Sequence, residues 1–438
     1  MTINIAKLEL ALSQKINSEL TDLELLIYSK ALEKLKTNSI NSVASFEFLP
    51  FYLDNIGSLY FVDSDERLYW ASETGWILIT IDFANQLWTW GSNNNGQLGN
   101  GDRCFPTSVI KNSFIWDNIS IDRTLSVAVK TDGTLWTWGR NVFRGLGDGT
   151  NTSRSSPGTT IGGGTDWSKA AAGTDWGAAI KTDGTLWTWG RNHLSQLGNG
   201  GSSSYVSSPS TIAGGGTNWS KLSIAYAHGS AIKTDGTLWT WGDGGHGELG
   251  NNSTSNRSSP VTTAGGGTNW CLVSVSTRTS AAIKTDGTLW TWGRNHYGQL
   301  GDGTTTNRSS PVTTAGGGTN WASISIGEFH SVAVKTDGTL WGWGLNNYSQ
   351  LGDGTTSNRS SPTNSIGGTN WSKLATGCQH SLGLKTDGTL WGWGFNQYGQ
   401  LGDNSKIHRS SPIAAPFDSW CLVAASGHSS GGITVNVF

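Results

Sequence analysis

The feature that most constrains this sequence is a nine-residue motif, TDGTLWTWG, that recurs at a nearly fixed spacing. It occurs at residues 131–139, 182–190, 234–242 and 285–293, as TDGTLWGWG at 336–344 and 386–394, and as a divergent copy, FANQLWTWG, at 83–91. The first Trp of successive copies falls at positions 88, 136, 187, 239, 290, 341 and 391, so the steps lie between 48 and 52 residues. A fixed period of this length is typical of a propeller, a solenoid or a repeat array.

The motif itself predicts a β-hairpin. Asp-Gly between two apolar segments is a strong hairpin signal, because Gly tolerates the positive φ of a tight turn. Side chains two residues apart share one face of a strand, so Trp136 and Trp138 point one way and Leu135 and Thr137 the other. Both faces are apolar or neutral, which is typical of a strand covered on both sides, as in a blade stacked between two neighbours.

Each period contains four predicted strands. In the unit that begins at Trp219 they are an inner strand near 222–225, a second strand near 230–233, the WxWG strand at 238–242 and an outer strand after Pro260. Proline suits an outer strand, where one edge has no hydrogen-bonded neighbour. Seven such units predict an all-β protein, a seven-bladed β-propeller at residues 83–438.

The two ends of the repeat region predict how the ring closes. The last unit has two strands but no WxWG motif, and the first has the motif but no clear inner strand. The simplest solution is that the C-terminal strands complete the first blade, because this removes the open sheet edges. The alternative is that residues 76–82 serve the first blade as its second strand, with an eighth blade shared by both chain ends.

The segment before the repeats has a different composition. Apolar residues recur at helical spacing from Ile5 to Ile16, and residues 21–24 carry a capping-box pattern. Residues 1–45 are therefore predicted to form a helical attachment or oligomerisation arm, with docking of the helix on its own propeller as the alternative. Residues 46–82 are predicted to form a small β module of three short strands.

The repeats resemble the regulator-of-chromosome-condensation repeat family. The resemblance rests on the WG of each third strand, on GQLG turns at 96–99, 298–301 and 399–402, and on RSSP before the outer strands. It implies a β-propeller, and members of the family include a nucleotide-exchange factor and a bacterial β-lactamase-inhibitor protein. The exchange factor uses an inserted wedge, for which a spacing of at most 52 residues leaves no room, so exchange activity is not expected here.

The sequence GSLYFVDSDERLYWASETGWILI at 57–79 resembles small β modules near the N-termini of tailed-phage virion proteins, including tail fibres. The resemblance implies a non-enzymatic virion structural protein, associated with the tail fibre, the tail or the capsid and located in the virion. Residues 1–80 would contact other virion proteins, and the N-terminal helix could form a homo-oligomer. The propeller face would bind a host cell-surface protein or glycan, or a neighbouring protein. The alternative is a bacterial protein-binding or inhibitor propeller with no virion role.

Composition excludes several other classes of function. Charged residues make up 14% of the chain and the net charge is −2, so neither nucleic acid nor a membrane surface is an expected partner. No apolar segment approaches the roughly 20 residues of a membrane span. Of the four cysteines, Cys271 and Cys421 take a repeat position held elsewhere by Ser, and we expect both to be small buried residues.

Two sets of polar residues recur with the repeat. His228, His330 and His380 each lie nine residues after the Trp that begins the inner strand of their unit, and His428 is one residue off that register. We expect each His to cap the turn between the first two strands of its blade rather than bind a metal, because the blades hold them apart. No catalytic triad or phosphate-binding loop stands out from the repeats, so the sequence predicts no enzyme and no cofactor.

The second recurring set consists of arginines that precede a Pro by three residues: Arg103, Arg154, Arg257, Arg308, Arg359 and Arg409. They could form an anion-binding rim. The preferred interpretation is that each fixes its own loop, through the acids of the LGD turns at Asp148, Asp302, Asp353 and Asp403.

Differences among the units of this chain indicate where it binds. Antiparallel strands place the first-to-second and third-to-fourth connections on one face, and these connections differ from unit to unit. The TDGT turns and GGGTN loops on the other face are nearly identical. Binding residues tend to lie on loops held by a rigid scaffold, although drift at weakly constrained positions is the alternative. The candidate binding residues are Phe143, Trp176, His193, Tyr226, His246, His296, Tyr297, Phe329, Tyr348 and Tyr398.

Overall fold

The computed structural model describes residues 40–43, 59–62, 67–72, 75–79, 85–103, 110–416 and 420–435. The described strands fall into two compact units, one before the repeats and one that spans Gln86–Thr434. The predicted helix of the N-terminal arm lies outside the described residues. None of the described residues belongs to a helix long and apolar enough to span a membrane.

The first unit is a four-stranded sheet. Its strands are β1 (Ile40–Val43), β2 (Leu59–Val62), β3 (Arg67–Ser72) and β4 (Gly75–Ile79), in that order. The three strands predicted for the β module are confirmed, and each pairs antiparallel with the next. Strand β1 pairs parallel with β2 and falls within the segment predicted to be a helical arm. It was missed because a four-residue strand with a distant partner leaves no local sequence pattern.

The repeat region begins with five strands, the first of which contains the first WxWG motif. They are β5 (Asn85–Gly91), β6 (Ile110–Ile121), β7 (Leu125–Lys130), β8 (Leu135–Gly139) and β9 (Arg154–Thr159). The first part of β6 pairs with β5, and its second part, from Trp116 onward, pairs with β7. This one continuous strand is therefore the outer strand of blade 1 and the inner strand of blade 2.

Blades 3 to 7 are separate four-stranded antiparallel sheets in sequence order. Blade 3 contains β10 (Trp167–Gly173), β11 (Trp176–Lys181), β12 (Leu186–Arg191) and β13 (Tyr205–Thr211). Blade 4 contains β14 (Trp219–Ile224), β15 (His228–Lys233), β16 (Leu238–Gly242) and β17 (Arg257–Thr262). Blade 5 contains β18 (Trp270–Val275), β19 (Thr279–Lys284), β20 (Leu289–Gly293) and β21 (Arg308–Thr313). Blade 6 contains β22 (Trp321–Ile326), β23 (His330–Lys335), β24 (Leu340–Gly344) and β25 (Arg359–Asn364). Blade 7 contains β26 (Trp371–Thr376), β27 (His380–Lys385), β28 (Leu390–Gly394) and β29 (Arg409–Ala414).

The C-terminal strands close the ring. Strands β30 (Trp420–Ser426) and β31 (Ser429–Val435) pair with each other, and β31 lies beside β5, so blade 1 has the order β30, β31, β5, β6. The predicted closure is confirmed, and the fold is an all-β seven-bladed propeller. Strand β4 pairs with β3 in the first unit, so the alternative with an eighth shared blade does not apply.

The blades are joined by a repeated hydrogen bond, here called the seam hydrogen bond. The second Trp of every WxWG motif is fully buried, and its Nε1–H donates to a main-chain carbonyl of the preceding blade at 2.8–3.0 Å. The seven pairs are Trp90 with Gln400, Trp138 with Gln97, Trp189 with Gly145, Trp241 with Gln196, Trp292 with Glu248, Trp343 with Gln299, and Trp393 with Gln350. The first pair joins blade 7 to blade 1 across 310 positions of sequence.

The first Trp of the motif has a different role. In blades 2 to 7 it is half-buried, and its Nε1–H donates to the Thr of its own TDGT turn. A lysine ammonium also contacts it; Lys284 Nζ, for example, is 4.8 Å from the ring centroids of both Trp270 and Trp290. Such cation–π contacts contribute about 0.5–1 kcal/mol at exposed sites. Both tryptophans therefore belong to the framework.

Two substitutions in blade 6 test the seam hydrogen bond. Trp343→Phe removes the hydrogen-bond donor to the buried main-chain carbonyl of Gln299. Trp341→Phe is the matched control, because it makes the same change in ring size but removes a hydrogen bond to the half-exposed Thr339. We expect Trp343→Phe to lower the free energy of unfolding by about 1–3 kcal/mol more than Trp341→Phe, since a buried polar group loses a partner. Guanidinium chloride unfolding measures both, and equal losses would contradict the proposed role of the seam.

Candidate functional site: the variable face

The two faces of the ring differ in how their loops are held. On one face, which we call the variable face, the first-to-second and third-to-fourth connections of a blade contact each other, as where Arg191 N donates to Asp175 O at 2.9 Å. On the opposite face each TDGT turn packs against the loop that enters the next blade. A Cβ added to Gly133, whose φ is 79°, would lie 2.1 Å from Thr165 O. The TDGT turns of the opposite face therefore tolerate little change at their glycine, whereas the connections on the variable face can differ from blade to blade.

The candidate binding residues are not equally accessible. His193, His296 and Tyr297 are exposed. The half-buried members are Phe143, Tyr226, His246, Phe329, Tyr348 and Tyr398. Trp176 is fully buried, and its Nε1–H donates to Ala225 O of the next blade at 2.7 Å. The expectation that Trp176 is displayed on this face is wrong, because it begins the second strand and fills the seam between blades 3 and 4.

The buried histidines occupy the same repeat position as Trp176. Each begins the second strand of its blade, and its Nε2 lies 2.8–2.9 Å from a serine Oγ of the next blade. The pairs are His228 with Ser280, His330 with Ser381, and His380 with Ser430. The sequence had suggested that each His caps the turn of its own blade. In the structure these histidines instead bridge two blades. Burial lowers the pKa of His228 and His330 to about 3, so both stay neutral near pH 7.

Aromatic side chains cluster on the variable face of blades 6, 7 and 1. Tyr348 and Phe395 have ring centroids 4.8 Å apart, and Phe395 lies 6.0 Å from Tyr398. His428, from the loop between β30 and β31, lies 5.3 Å from Phe395 and 5.2 Å from Tyr398. We call these four residues the aromatic cluster. A separate pair, Tyr297 and Phe329, spans blades 5 and 6 with centroids 5.6 Å apart. Phe395 was not predicted from the sequence, although the residue after WxWG is aromatic only there, with Arg in three units and Ser, Asp or Leu in the others.

The variable face of blades 2 and 3 carries cationic groups around one aromatic ring. The guanidinium carbons of Arg140 and Arg191 lie 5.3 and 4.9 Å from the ring centroid of Phe143. Both guanidinium groups approach the carboxylate of Asp175, at 3.4 and 3.9 Å. His193 packs edge-on against the same ring at 6.0 Å. One carboxylate thus partly compensates the two guanidinium charges on this side of the face.

The mouth of the central channel opens on the variable face. The guanidinium of Arg123, from blade 2, pairs with the carboxylate of Glu328 in blade 6 and contacts Cys378 Sγ of blade 7 at 2.8 Å. Asp122 lies beside them, where it accepts hydrogen bonds from Thr174 and Ser426. Burial raises the pKa of Asp122 and of the Cys378 thiol, so the thiol is unreactive near neutral pH. These contacts join blades 1, 2, 3, 6 and 7 around the channel mouth.

The repeated arginines fix their own loops where an acid is present. Ion pairs join Arg154 to Asp148, Arg308 to Asp302, Arg359 to Asp353 and Arg409 to Asp403. Arg103 and Arg257 are exposed, and the LG turns of their units carry Asn in place of the acid. These arginines therefore belong to the blade perimeter and form no common anion site.

The cysteine expectation needs correction. Cys271 is exposed and Cys421 is half-buried. Their thiols lie 3.4 and 3.3 Å from the main-chain carbonyls of Ile283 and Ile433, and they replace a serine hydroxyl bond such as that from Ser220. The position is set by this hydrogen bond and not by burial, so a small polar or thiol side chain fits it.

Sequence analysis also missed a buried carboxyl group. Glu248 stands where five other blades have Gln, is 0% exposed, and accepts a hydrogen bond from His246 N at 2.6 Å. Its Oε1 is buried and has no hydrogen-bond partner. Burial raises the pKa of Glu248 to about 7, against an ordinary value of 4.5. The signal in the sequence was GELG in place of GQLG.

Glu248→Gln tests this assignment, because it installs the amide that the other blades use. The pKa of Glu248 is higher in the folded state than in the unfolded state. The free energy of unfolding of the wild type therefore decreases as pH rises from about 4.5 through about 7. We expect the variant to match wild type near the acidic end of that window and to exceed it by roughly 2–3 kcal/mol above its upper end. Urea unfolding across this range measures the difference. A difference that does not change with pH would show that the carboxyl group is not held neutral by burial.

The described residues contain no group of three or more His, Cys, Asp or Glu side chains arranged to hold a metal ion. The chemistry that the variable face does offer is that of a contact surface, with aromatic rings and guanidinium groups on loops of a rigid ring. The fold and this face together define a β-propeller whose differences between blades are concentrated on one side.

Comparison with known proteins agrees with this architecture. The chain matches the Regulator of chromosome condensation (RCC1) repeat at residues 85–113, 132–180, 183–232, 235–283, 286–334, 337–384 and 387–432. These segments make up most of the sequence, so the chain belongs to the RCC1-repeat family, and this part of the sequence-based resemblance is confirmed.

The chain is also similar to individual proteins. It is 29% identical to the ultraviolet-B receptor UVR8 of Arabidopsis thaliana over 281 residues, which are 61% of this chain and 62% of UVR8. It is 28% identical to human E3 ubiquitin-protein ligase HERC2 over 183 residues, which are 41% of this chain and 4% of HERC2. The chain thus spans less than two thirds of the length of either relative. These matches give no support to the phage-like interpretation of the N-terminal segment.

Two solved structures share the fold. The superposition with human WBSCR16 has a TM-score of 0.71 at 19% sequence identity, and it covers 80% of this chain and 99% of the WBSCR16 chain. Yeast RCC1 (Prp20), solved with Kap60, has a TM-score of 0.72 at 18% identity and covers 81% of this chain and 90% of its own. At these identities the similarity concerns the fold alone.

Proposed function

We propose that this chain is a non-enzymatic protein-binding propeller, and that its partner docks on the variable face. The observation that carries the proposal is the aromatic cluster of Tyr348, Phe395, Tyr398 and His428, together with the Tyr297–Phe329 pair. Interface centres are enriched in aromatic residues and arginine, which supply large contact areas. The ring does not need these side chains for closure, because the seam hydrogen bonds join indoles to main-chain carbonyls and involve none of them.

The difference between the two faces supports the same proposal. The opposite face repeats one turn and one loop, and a Cβ on the TDGT glycines Gly133, Gly184, Gly236 and Gly287 would lie 2.1–2.3 Å from a carbonyl of the loop that enters the next blade. The variable face presents a different set of side chains in each blade. A single partner of low symmetry can distinguish the blades only on a face of that kind.

Related propellers agree with a protein partner. The yeast RCC1 structure is described as bound to Kap60, and the Saccharomyces cerevisiae Prp20p structure is described with its binding properties to Gsp1p and histones. These partners are those proteins' own. What carries over to this chain as a proposal is the class of interaction, a propeller surface that binds a protein.

The test compares two matched variants of the full chain as immobilised baits. One changes Tyr297, Tyr348 and Tyr398 to Ser on the variable face, and the other changes the exposed Ile161 and Ile366 to Ser in connections of the opposite face. Quantitative mass spectrometry of proteins retained from a lysate of the source organism then compares both with wild type. We expect the tyrosine variant to lose at least about tenfold of the specifically retained protein, since hot-spot aromatics each contribute about 2 kcal/mol or more.

The control variant should retain the same protein as wild type, because it also removes exposed apolar side chains but leaves the variable face intact. Circular dichroism establishes that both variants are folded. Equal retention by the tyrosine variant and wild type would contradict the proposal.

A virion role is the second candidate, and it stays a prediction. It rests on the sequence resemblance of residues 57–79, whose three strands are present in the first unit. If the protein is a virion component, mass spectrometry of gradient-purified phage particles should detect it at a constant ratio to the major capsid protein. A protein found only in the particle-free fraction would exclude this role and leave the cellular binding propeller.

A further inference from the structure

One pair of equivalent positions on the variable face carries opposite charges in blade 3 and like charges in blade 5. The residue directly before the second strand is Asp175 in blade 3 and Arg278 in blade 5. The residue directly after the WxWG motif is Arg191 in blade 3 and Arg294 in blade 5. The backbone contact between the two positions is the same, because Arg191 N donates to Asp175 O at 2.9 Å and Arg294 N donates to Arg278 O at 2.8 Å.

In blade 3 the acid at the first position compensates the nearby cations. The Asp175 carboxylate is 2% exposed and lies 3.9 Å from the Arg191 guanidinium and 3.4 Å from that of Arg140. The ring itself therefore supplies a carboxylate that offsets one of the two guanidinium charges at this site. Blade 3 shows what the two positions look like when a carboxylate is present.

In blade 5 the carboxylate is missing and a second guanidinium stands in its place. Among the residues that the structure describes, neither Arg278 nor Arg294 forms an ion pair. Arg294 Nε is buried without a hydrogen-bond partner, as Arg191 Nε is in blade 3, so the missing ion pair is what distinguishes blade 5. Asp243 and Glu248, two acids of the neighbouring blade 4, form no ion pair with Arg278 or Arg294. Two like charges at neighbouring positions repel each other, and a bound anion would relieve that repulsion.

The neighbouring imidazoles do not compensate the pair. Burial, followed by the charges of Arg278 and Arg294, holds the pKa of His246 below its usual value, so this side chain is neutral near pH 7. His296 is exposed beside it. The side of blade 5 that faces blade 4 is thus cationic or neutral, apart from Asp243 and the buried Glu248.

Aromatic rings adjoin the guanidinium pair on its other side. The Arg294 guanidinium carbon lies 5.9 Å from the ring centroid of Phe329, and Tyr297 packs edge-on against Phe329. Tyr297 is 36% exposed. A ligand that reaches the two arginines therefore meets an accessible aromatic surface within the length of one or two residues.

We propose that Arg278 and Arg294 bind a carboxylate of an acidic segment of the partner protein, at the place that Asp175 fills in blade 3. An apolar or aromatic side chain next to that acid packs on Tyr297 and Phe329. Guanidinium groups match carboxylates through paired, charge-assisted hydrogen bonds, which makes arginine suited to this recognition. The inference rests on the proposed function and adds the chemistry of the partner.

The experiment uses the full chain and two fluorescent peptide libraries of equal length. In the acidic library, Asp or Glu stands next to Trp or Leu at randomised positions. In the amide library, Asn or Gln replaces every acid. We expect wild type to retain the acidic library and not the amide library, and the affinity of a sequenced acidic peptide, measured by fluorescence anisotropy, to fall with rising salt.

The decisive variant is Arg278→Asp, which builds the blade 3 arrangement into blade 5. This variant should lower the affinity for the acidic peptide by at least about tenfold, because the new carboxylate pairs with Arg294 and repels the acids of the peptide. Arg278→Gln serves if the Asp variant does not fold, and it should weaken binding in the same direction. Arg191→Gln in blade 3 is the matched control and should bind like wild type.

The outcomes separate this inference from the proposed function. If neither library is preferred, or if Arg278→Asp and Arg278→Gln bind like wild type, the carboxylate site is wrong. If the tyrosine variant still loses its retained protein in that case, the variable face is the binding face and only the assigned chemistry fails. If the tyrosine variant and the Arg278 variants all behave like wild type, both proposals fail.

Discussion

The hydrogen bond from a buried indole to a carbonyl of the preceding blade is the contact on which this propeller depends. It needs a loop that brings the carbonyl against the Trp ring, and Gly301 shows why that loop is glycine-rich. Its φ is 69°, and a Cβ at this position would lie 2.7 Å from Trp343 Nε1. The sequence therefore repeats both partners of the bond, the WxWG strand and the turn that ends in Leu-Gly, and the seven repeats close when Trp90 reaches Gln400.

The same seam explains why the differences among the blades lie mostly on one side of the ring. Below it, lysines contact paired tryptophans and TDGT turns pack against the next blade, so sequence differences there would disturb several contacts at once. On the variable face, the connections within a blade contact each other through main-chain hydrogen bonds such as that from Arg294 N to Arg278 O. Side chains at these positions can change without loss of the ring, and the aromatic cluster and the charge pairs lie there.

The sequence was sufficient for the fold because periodicity and hairpin chemistry act locally. The blade count, the strand order and the closure by β30 and β31 followed from the WxWG spacing and the missing strands at each end. What it could not show is which side chains cross a seam. Trp176 seemed displayed because its loop is variable, yet its nine-residue offset from Trp167 is that of His330, which was the signal that it is buried. Strand β1 and the pairing between Arg123 and Glu328 depend on partners far away in sequence, and no local pattern indicates them.

Indole hydrogen exchange tests the central claim most directly. In the full chain labelled with ¹⁵N-tryptophan, the Nε1–H groups at the seams should exchange only through global opening, because each is buried and bonded to the preceding blade. The closed ring predicts that Trp90, at the junction of the two chain ends, exchanges as slowly as Trp241 or Trp292, and more slowly than half-buried indoles such as Trp290. If Trp90 exchanged at the rate of Trp290, blade 1 would be open and the continuous ring of seven seams would be wrong.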